Sequence, residues 1–482
     1  MAICAVPRLQ ALIVVASLGF SRGAAAAGPV YDVTSSADLV DAQIDGVCET
    51  AVGNGVCTLR AAVMEANLGP NPGAEEVTIQ LHADTYLLTI AVDFPDDHSN
   101  GDLDLVGKVR IVGLGYDLTL IDGNLVDRVF NVGATGDVTL ESLRVQRGRP
   151  PLITNRASTG GGIKNAGNLT LIRCLLRINE TLGGVGDGGG IYSSGGTLTI
   201  VDSMLRVHHP PQYAFGGAIF AGYTTTSISG SALYSNSAVY GGAIFQKGGS
   251  LTMWNSTVSD NGADASGGGI ELMASTATFN NVTIAGNIAG SGSGGGVYLP
   301  ESSLVLSNSI LDNRKTSVSG PLDDFDCPLG GSVISNGFNI VRASGGCVTG
   351  SVTATDPFLS FVAPNGGLTV TRAPGSNSLA IDGGKPTGCL TPLGGPLTTD
   401  QRGVTRPIGA ACDLGAFEVE PKGDANGDGA VDVQDVFYLI NFLFAGGPVP
   451  LGRADVDGHP SITVADVFYL INYLFANGPP PV

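Results

Sequence analysis

The chain has 482 residues, of which 72 are glycine, 43% are hydrophobic and 14% are charged. That length exceeds one ordinary globular core unless a repeat extends the core along an axis; the hydrophobic content excludes disorder, and the lack of a G-X-Y period excludes collagen. A formal net charge of −19 argues against nucleic acid or an anionic membrane as partner, since both need a basic face.

From the N-terminus, Arg8, the apolar run Leu9 to Phe20 and the alanine-rich Ser21 to Gly28 follow the order of a secretory signal, with cleavage expected near Ala27. The apolar run is too short to span a bilayer, and no later stretch offers eighteen uninterrupted apolar residues. An exported protein without a transmembrane span is therefore expected. Cys4 leaves with the signal; in an oxidising compartment the sequence neighbours among the remaining cysteines are expected to pair as Cys48–Cys57, Cys327–Cys347 and Cys389–Cys412. Cys174, within LTLIRCLLRI, is expected to be a buried free thiol. No cysteine and histidine spacing suits zinc.

Next comes a short helix. Thr58 can cap it, and Leu59, Ala62, Val63 and Ala66 share one face, so Thr58 to Asn67 is expected to close the first coil of whatever follows. An open solenoid end would leave strand edges unpaired.

The centre of the chain repeats. Gly-Gly-(Gly/Ala)-(Ile/Val) ends at Ile163, Ile191, Ile219, Ile244, Ile270 and Val297, in steps of 28, 28, 25, 26 and 27 residues. Within each step, short segments alternate apolar and polar residues, and Asn236, Asn261, Asn287 and Asn313 close four of the steps. The pattern predicts a mainly β fold, a parallel β-helix with three short strands per coil, in which each coil buries its inner face against its neighbours. The asparagines are expected at bends, bonding the next coil and adopting a left-handed conformation, and the double glycines at sharp corners. About nine coils fit between residues 78 and 320.

Three stretches carry a resemblance. Cys57-Thr-Leu-Arg-Ala-Ala is similar to the CSLREA motif of bacterial surface β-helix proteins, although Ala61 replaces that motif's Glu and removes a reciprocal capping box. GGAI followed by NST and Asn resembles the polymorphic outer-membrane protein repeat. Asp356-Pro, Gly366-Gly367, Pro374 to Gly383, Asp400-Gln-Arg-Gly403, Arg406-Pro407 and Asp413 to Glu418 resemble the choice-of-anchor region that ends such helices. The resemblance implies a right-handed helix at the cell surface or secreted, with adhesin-like binding.

After Glu420 the composition changes. GDANGDGAVDVQDVFYLINFLF is followed 31 residues later by RADVDGHPSITVADVFYLINYLF. The first copy places Asp424, Asn426, Asp428 and Asp435 at loop positions one, three, five and twelve, with Gly429 for the turn, the Ala430 carbonyl at seven and Asp432 at nine through water, an oxygen set that suits Ca2+. The second copy keeps Asp455, Asp457 and Asp466 but has His459 and Pro460 at five and six, so metal there is expected to be weak or absent. The doubled loop-helix unit resembles the type I dockerin repeat, a small all-α domain whose helices, here Val436 to Phe444 and Val467 to Phe475, are expected to form a core from their Phe, Leu and Ile residues. Dockerins bind cohesins through residues beside the loops, often Ser-Thr; Val433-Gln434 and Val464-Ala465 stand there, so cohesin recognition is not carried over. Attachment to a surface or scaffold protein is the expected role.

The expected organisation is a signal peptide at 1–27, an N-terminal cap at 28–77, the β-helix at 78–320, an end region at 321–420 and the calcium module at 421–482. No catalytic residue can be assigned. Asp102 and Asp104, Asp122 and Asp127, and Asp323, Asp324 and Asp326 are candidate carboxylates, each expected in a solvated turn, and no face stacked with Asp, Arg and Lys is expected between Gly160 and Val297. His208-His209-Pro210-Pro211 is expected to be a loop insertion. A non-catalytic rod that binds carbohydrate or another surface is the leading expectation; a polysaccharide lyase or glycoside hydrolase on the same scaffold is the alternative.

Overall fold

The computed structural model describes residues 28–481 except 69–74, 94–96, 153–157, 184–185, 211–212, 291–293, 314–325, 328–330, 451–453 and 460. The expected signal peptide, Cys4, Pro211, Asp323, Asp324 and Pro460 lie outside the described residues.

The body is a parallel β-solenoid with three strands per coil. One side is an eight-stranded parallel sheet running from Leu103–Leu105 to Val297–Tyr298, in which Ile163, Ile191, Ile219, Ile244, Ile270 and Val297 lie in register. The two other strands of each coil belong to a 20-stranded sheet, and three coils add a short further strand, Ser237–Tyr240, Gly262–Ser266 and Ile288–Ala289, in a sheet of its own. Inward-facing residues such as Leu169, Leu198, Ile228, Met253 and Phe279 are fully buried, so the alternating sequence pattern becomes one continuous apolar column. The double glycines act as expected at the corners. Gly216 has φ +70°, where a Cβ would stand 2.0 Å from the Ile219 carbonyl oxygen.

The asparagines form a ladder rather than adopting the bend themselves. Asn236 Nδ2 donates to Asn261 Oδ1 (2.9 Å), Asn261 Nδ2 to Asn287 Oδ1 (2.8 Å) and Asn287 Nδ2 to Asn313 Oδ1 (2.8 Å). The left-handed residues are instead those one position earlier, Ser235, Asp260 and Gly286. Turning the chain there leaves each Asn side chain free to point inward, where it satisfies an N–H and a carbonyl of the preceding coil and bonds the Asn side chain of the next. Asp326 ends the ladder, accepting from Asn313 Nδ2 at 2.9 Å.

The expected loop insertion at His208 is corrected. His208 occupies an ordinary rung: its N–H donates to Asn236 Oδ1 (3.2 Å) and its Nδ1 accepts from Asn179 N (3.2 Å). It is fully buried while His209 is exposed, so the two rings point to opposite sides and share no metal. Burial is the largest influence on His208 and lowers its pKa to about 4; its hydrogen bonds oppose that and the His209 charge reinforces it. An unfolded histidine titrates near ~6.5. The neutral imidazole therefore contributes fully above pH ~6.5 and loses its contribution as pH falls toward 4. His208→Asn should restore the regular ladder and remove a pH-dependent loss on the order of 1–3 kcal/mol between those limits, read from urea midpoints at pH 7 and pH 4.5. An unchanged difference between the two pH values would refute this.

The stack begins earlier than expected, because Val30–Asp32 pairs in parallel with Thr78 to Gln80. Three residues are too few to show periodicity. Helix α1, Leu59–Leu68, buries Leu59, Ala62, Val63 and Ala66 against the first coils, with Thr58 Oγ1 accepting from Ala61 N at 3.2 Å. Buried Arg60 pairs with Asp38 at 2.6 Å and donates to the Gly101 carbonyl. The three disulfides join the expected partners, and Cys174 is free and buried, its thiol pushed up to about 12 by desolvation.

Residues 332–349 extend the stack, but the remainder of the end region does not simply follow it. It turns back along the flank of the 20-stranded sheet: Gly415 N donates to the Asn308 carbonyl, Ala416 N to Thr283 Oγ1, Asn255 Nδ2 to the Thr399 carbonyl and Thr369 Oγ1 to the Gly230 carbonyl. Tyr116 OH reaches the Leu368 carbonyl at 3.3 Å. The Asp400 to Glu418 motif is the buried knot of this segment. Asp400 accepts from the N–H groups of Arg402, Val404 and Glu418 and from the Arg402 guanidinium, and Arg406 donates to the Asp413 and Gly415 carbonyls.

Candidate metal centre

The C-terminal module is built from two capped helices. Helix α2, Val433–Ala445, starts at Asp432, whose side chain accepts from Gln434 N, while Asp435 answers the Asp432 N–H; α3, Val464–Ala476, repeats this with Thr463 and Asp466. Gly446 and Asn477 end them in the left-handed conformation. Their shared core is Val436, Leu439, Val467 and Leu470 with Ala425, Ala454 and Val456. The expected phenylalanine core is corrected: Phe437, Phe444, Phe468 and Phe475 are 65–69% exposed. Both helices are apolar almost all round, and i, i+3 spacing alone does not say which stripe faces the partner helix.

In the first loop the carboxylates are drawn inward by backbone donors. Asp424 accepts from Gly427 N (2.7 Å) and Gly429 N (2.7 Å), and Asp435 from Ala425 N (2.8 Å) and Asp432 N (2.8 Å). Asn426 Oδ1 accepts from Asp428 N, and Asp428 Oδ1 from Ala430 N. Asp424 and Asp435 are buried. Desolvation, then the neighbouring Asp435 and Asp428 charges, outweigh these donors and push Asp424 up to about 6; Asp435 is raised for similar reasons. Buried acids that repel each other fit a loop that a cation completes.

The second loop fits a cation better than its sequence suggested. Oxygens of Asp455, Asp457 and Asp466 lie within 4.8 Å of one another, and Asp455 Oδ1 is buried without a hydrogen-bond partner among the described residues. Asp466 accepts from Val456 N (2.9 Å) and Thr463 N (2.7 Å), which fixes its carboxylate as Asp435 is fixed. His459 is outside the triad, 82% exposed at its side chain, with Nδ1 3.2 Å from Asp457 Oδ1. Losing the position-five ligand thus leaves the three acids together, with the capping box and backbone donors holding position twelve.

The other candidate carboxylates do not assemble. Asp102 pairs with buried Arg128, Asp104 accepts from Asn131, Asp122 pairs with Arg147 at 2.8 Å, Asp127 accepts from the Arg128 N–H, and Asp326 serves the ladder. Among the described candidates only Asp104 is not buried, so the solvated turns expected for Asp102, Asp122, Asp127 and Asp326 are corrected to buried ion pairs and hydrogen bonds. Sequence reasoning missed a groove of about 590 Å³ on the flank, where Arg372 meets Asp260 at 2.5 Å and Arg342 bridges Asp312 and Asp356, beside exposed Phe358 and Phe361. Its residues are far apart in sequence and meet only because the end segment folds back. Among the described residues each charged group lining it is ion-paired.

The family model described as Dockerin type I domain matches residues 422–475. No curated protein matches the chain. Among solved structures, pectate lyase Pel9A aligns at 12% identity and a TM-score of 0.40, covering 81% of this chain and 96% of that one. Agreement at that level concerns the course of the chain and assigns no activity. No helix among the described residues is long and apolar enough to cross a membrane.

Proposed function

We propose that this is a secreted or cell-surface β-helix protein, non-catalytic and adhesin-like, whose C-terminal module attaches it to a scaffold or surface protein when calcium is bound, while the solenoid presents a long face to carbohydrate. The reading includes the five-part organisation given above, with the coils reaching Val30–Asp32 at one end and 332–349 at the other, a cleaved signal peptide, and a cap and end region of the CSLREA and choice-of-anchor type. Asp424, Asn426, Asp428, Ala430, Asp432 and Asp435 would hold one Ca2+, and Asp455, Asp457 and Asp466 a second, weaker one; bound calcium would rigidify each loop and fix the entry angle of its helix.

The observation that carries the attachment reading is the pair of exposed aromatic positions on each helix. Phe437 and Phe468, and Phe444 and Phe475, occupy equivalent places in the two copies and remain outside the core of a well-capped helix pair. Large apolar side chains exposed on two rigid helices are suited to a partner interface. Capture of the full chain on immobilised cohesin domains of several specificities tests this: binding that disappears with EDTA and weakens on the order of 10-fold or more in Phe437→Ala/Phe468→Ala, with calcium uptake unchanged, is the expected result. Calcium-independent capture, or no effect of the double substitution, would overturn it. Turnover of any polysaccharide in a panel, read as unsaturated-uronate absorbance or new reducing ends, would replace the non-catalytic half with the lyase or hydrolase alternative.

A further inference from the structure

Positive charge is not spread along the solenoid. Between Arg206 and Arg314 the sequence has a single basic residue, Lys247. The earlier coils hold the arginines, and two pairs of them on the 20-stranded sheet are treated differently. In the first, Arg110 and Arg173 both pair with Glu141, which stands in register with Val112 and Ile172 and reaches one arginine on either side. One acid neutralises both. In the second, Arg177 and Arg206 are direct register partners. Among the described residues neither forms an ion pair. Arg177 Nε donates to Gln146 Oε1 at 3.0 Å, and Arg206 lies 5.7 Å from the Tyr234 ring centroid with its Nε buried and unpartnered.

Two arginines in register are not the stacked face of Asp, Arg and Lys considered above, but they do set like charges side by side. Like charges on neighbouring strands destabilise a sheet; burial first, then the charges of Arg144 and Arg206, lower the Arg177 pKa, with Asp117 and Asp122 opposing them. The rung spacing of about 4.8 Å is close to the length of one pyranose unit in a chain. Beside the guanidinium groups Leu175, Met204 and Ala232 are buried under Tyr116, Tyr234 and Val370, and the half-buried rings of Tyr116 and Tyr234 are what remains open to a ligand. Planar cations on successive rungs next to aromatic rings match a ligand that carries carboxylates at regular intervals on rings with an apolar face. Nucleic acid would need a broad basic surface, which a chain of net charge −19 lacks.

We infer that Arg177 and Arg206, with Tyr234 and Tyr116 beside them, form a binding site for a uronate-bearing polysaccharide laid along the solenoid axis. This rests on the carbohydrate-presenting half of the function proposed above. Each guanidinium takes one carboxylate, and the ligand supplies the neutralisation that Glu141 supplies to Arg110 and Arg173.

The test is calorimetric titration of the full chain with alginate oligosaccharides at low salt, against cello-oligosaccharides of equal length, inorganic phosphate and single-stranded DNA. Binding of the alginate probe should weaken on the order of 10-fold in Arg177→Gln or Arg206→Gln and further in the double variant, and should fall with added salt. The thermal midpoint of the double variant should be equal to or above that of the parent, because a repulsive pair is gone. Parent-like alginate binding by the double variant, or tighter binding of phosphate or DNA than of alginate by the parent, would overturn the inference. Cello-oligosaccharide bound equally by parent and double variant, with no alginate preference, would sink the arginine site while leaving the broader carbohydrate reading in place.

Discussion

Asp424→Ala should remove calcium binding at the first loop, lowering its affinity on the order of 100-fold or more, while leaving a second, weaker binding event that Asp455→Ala removes in turn. Asp424 does two things at once. It offers an anionic oxygen at the first ligand position, and it accepts from the N–H groups of Gly427, Asp428 and Gly429, which sets the curvature that brings Asn426 and Asp428 round. Alanine loses the ligand and releases three donors together. Helix α2 should persist, since its cap is the Asp432 and Asp435 pair and its packing is through Val436 and Leu439. Titration of the full chain should therefore show loss of one event with helicity by circular dichroism largely kept. Two equal sites in the parent would contradict the ranking of the loops; a single site eliminated by Asp455→Ala alone would reverse it.

Asp400→Ala should destabilise the flank segment by about 3–5 kcal/mol. Asp400 is buried and accepts five hydrogen bonds, from three backbone N–H groups and two guanidinium nitrogens of Arg402. Arg402 is itself buried, its guanidinium 3.5 Å from the centroid of the Phe417 ring, with Glu420 at 3.0 Å as its other acid. Removing Asp400 strands part of that charge and leaves backbone donors without acceptors, which costs far more than the pair contributes relative to an apolar replacement. The solenoid core does not depend on this knot, so unfolding should separate into two phases: release of residues 357–420, visible as protease cleavage confined to them, before loss of the coils. A single cooperative transition with the parent midpoint would show the knot to be dispensable.

The solenoid was readable from residues because its grammar is local and repeated. Ile163 to Val297 recur at nearly constant steps, and a period near 26 has few structural meanings. The asparagine ladder was readable as a ladder, but the left-handed residue was misplaced by one, since Ser235 and Asp260 carry no composition signal for that conformation. His208 was hidden by the prolines that follow it; aligned coil on coil, it stands where its neighbours have Asn. The same alignment superposes Arg177 on Arg206, a signal overlooked because charge was counted along the chain rather than across rungs. The phenylalanines of α2 and α3 were assigned inward because hydrophobicity ranks them above Val and Leu, yet the narrow seam between two short helices accommodates Leu439 and Leu470 and leaves the larger rings outside. The flank groove had no sequence signature at all. It exists only through a fold-back joining residues more than a hundred positions apart.

That fold-back determines how the molecule would respond to tension. The module follows directly from a strap fastened at Asn308, Thr283, Asn255 and Gly230 in successive coils, with Tyr116 holding its far turn. A pull on the module, as from a cell or particle in flowing water, enters the rod sideways across several rungs. The fastenings at Gly415 and Ala416 meet that pull first, and those at Thr399, Thr369 and Leu368 stand behind them, so the load is taken up on the flank before it reaches the end of the stack.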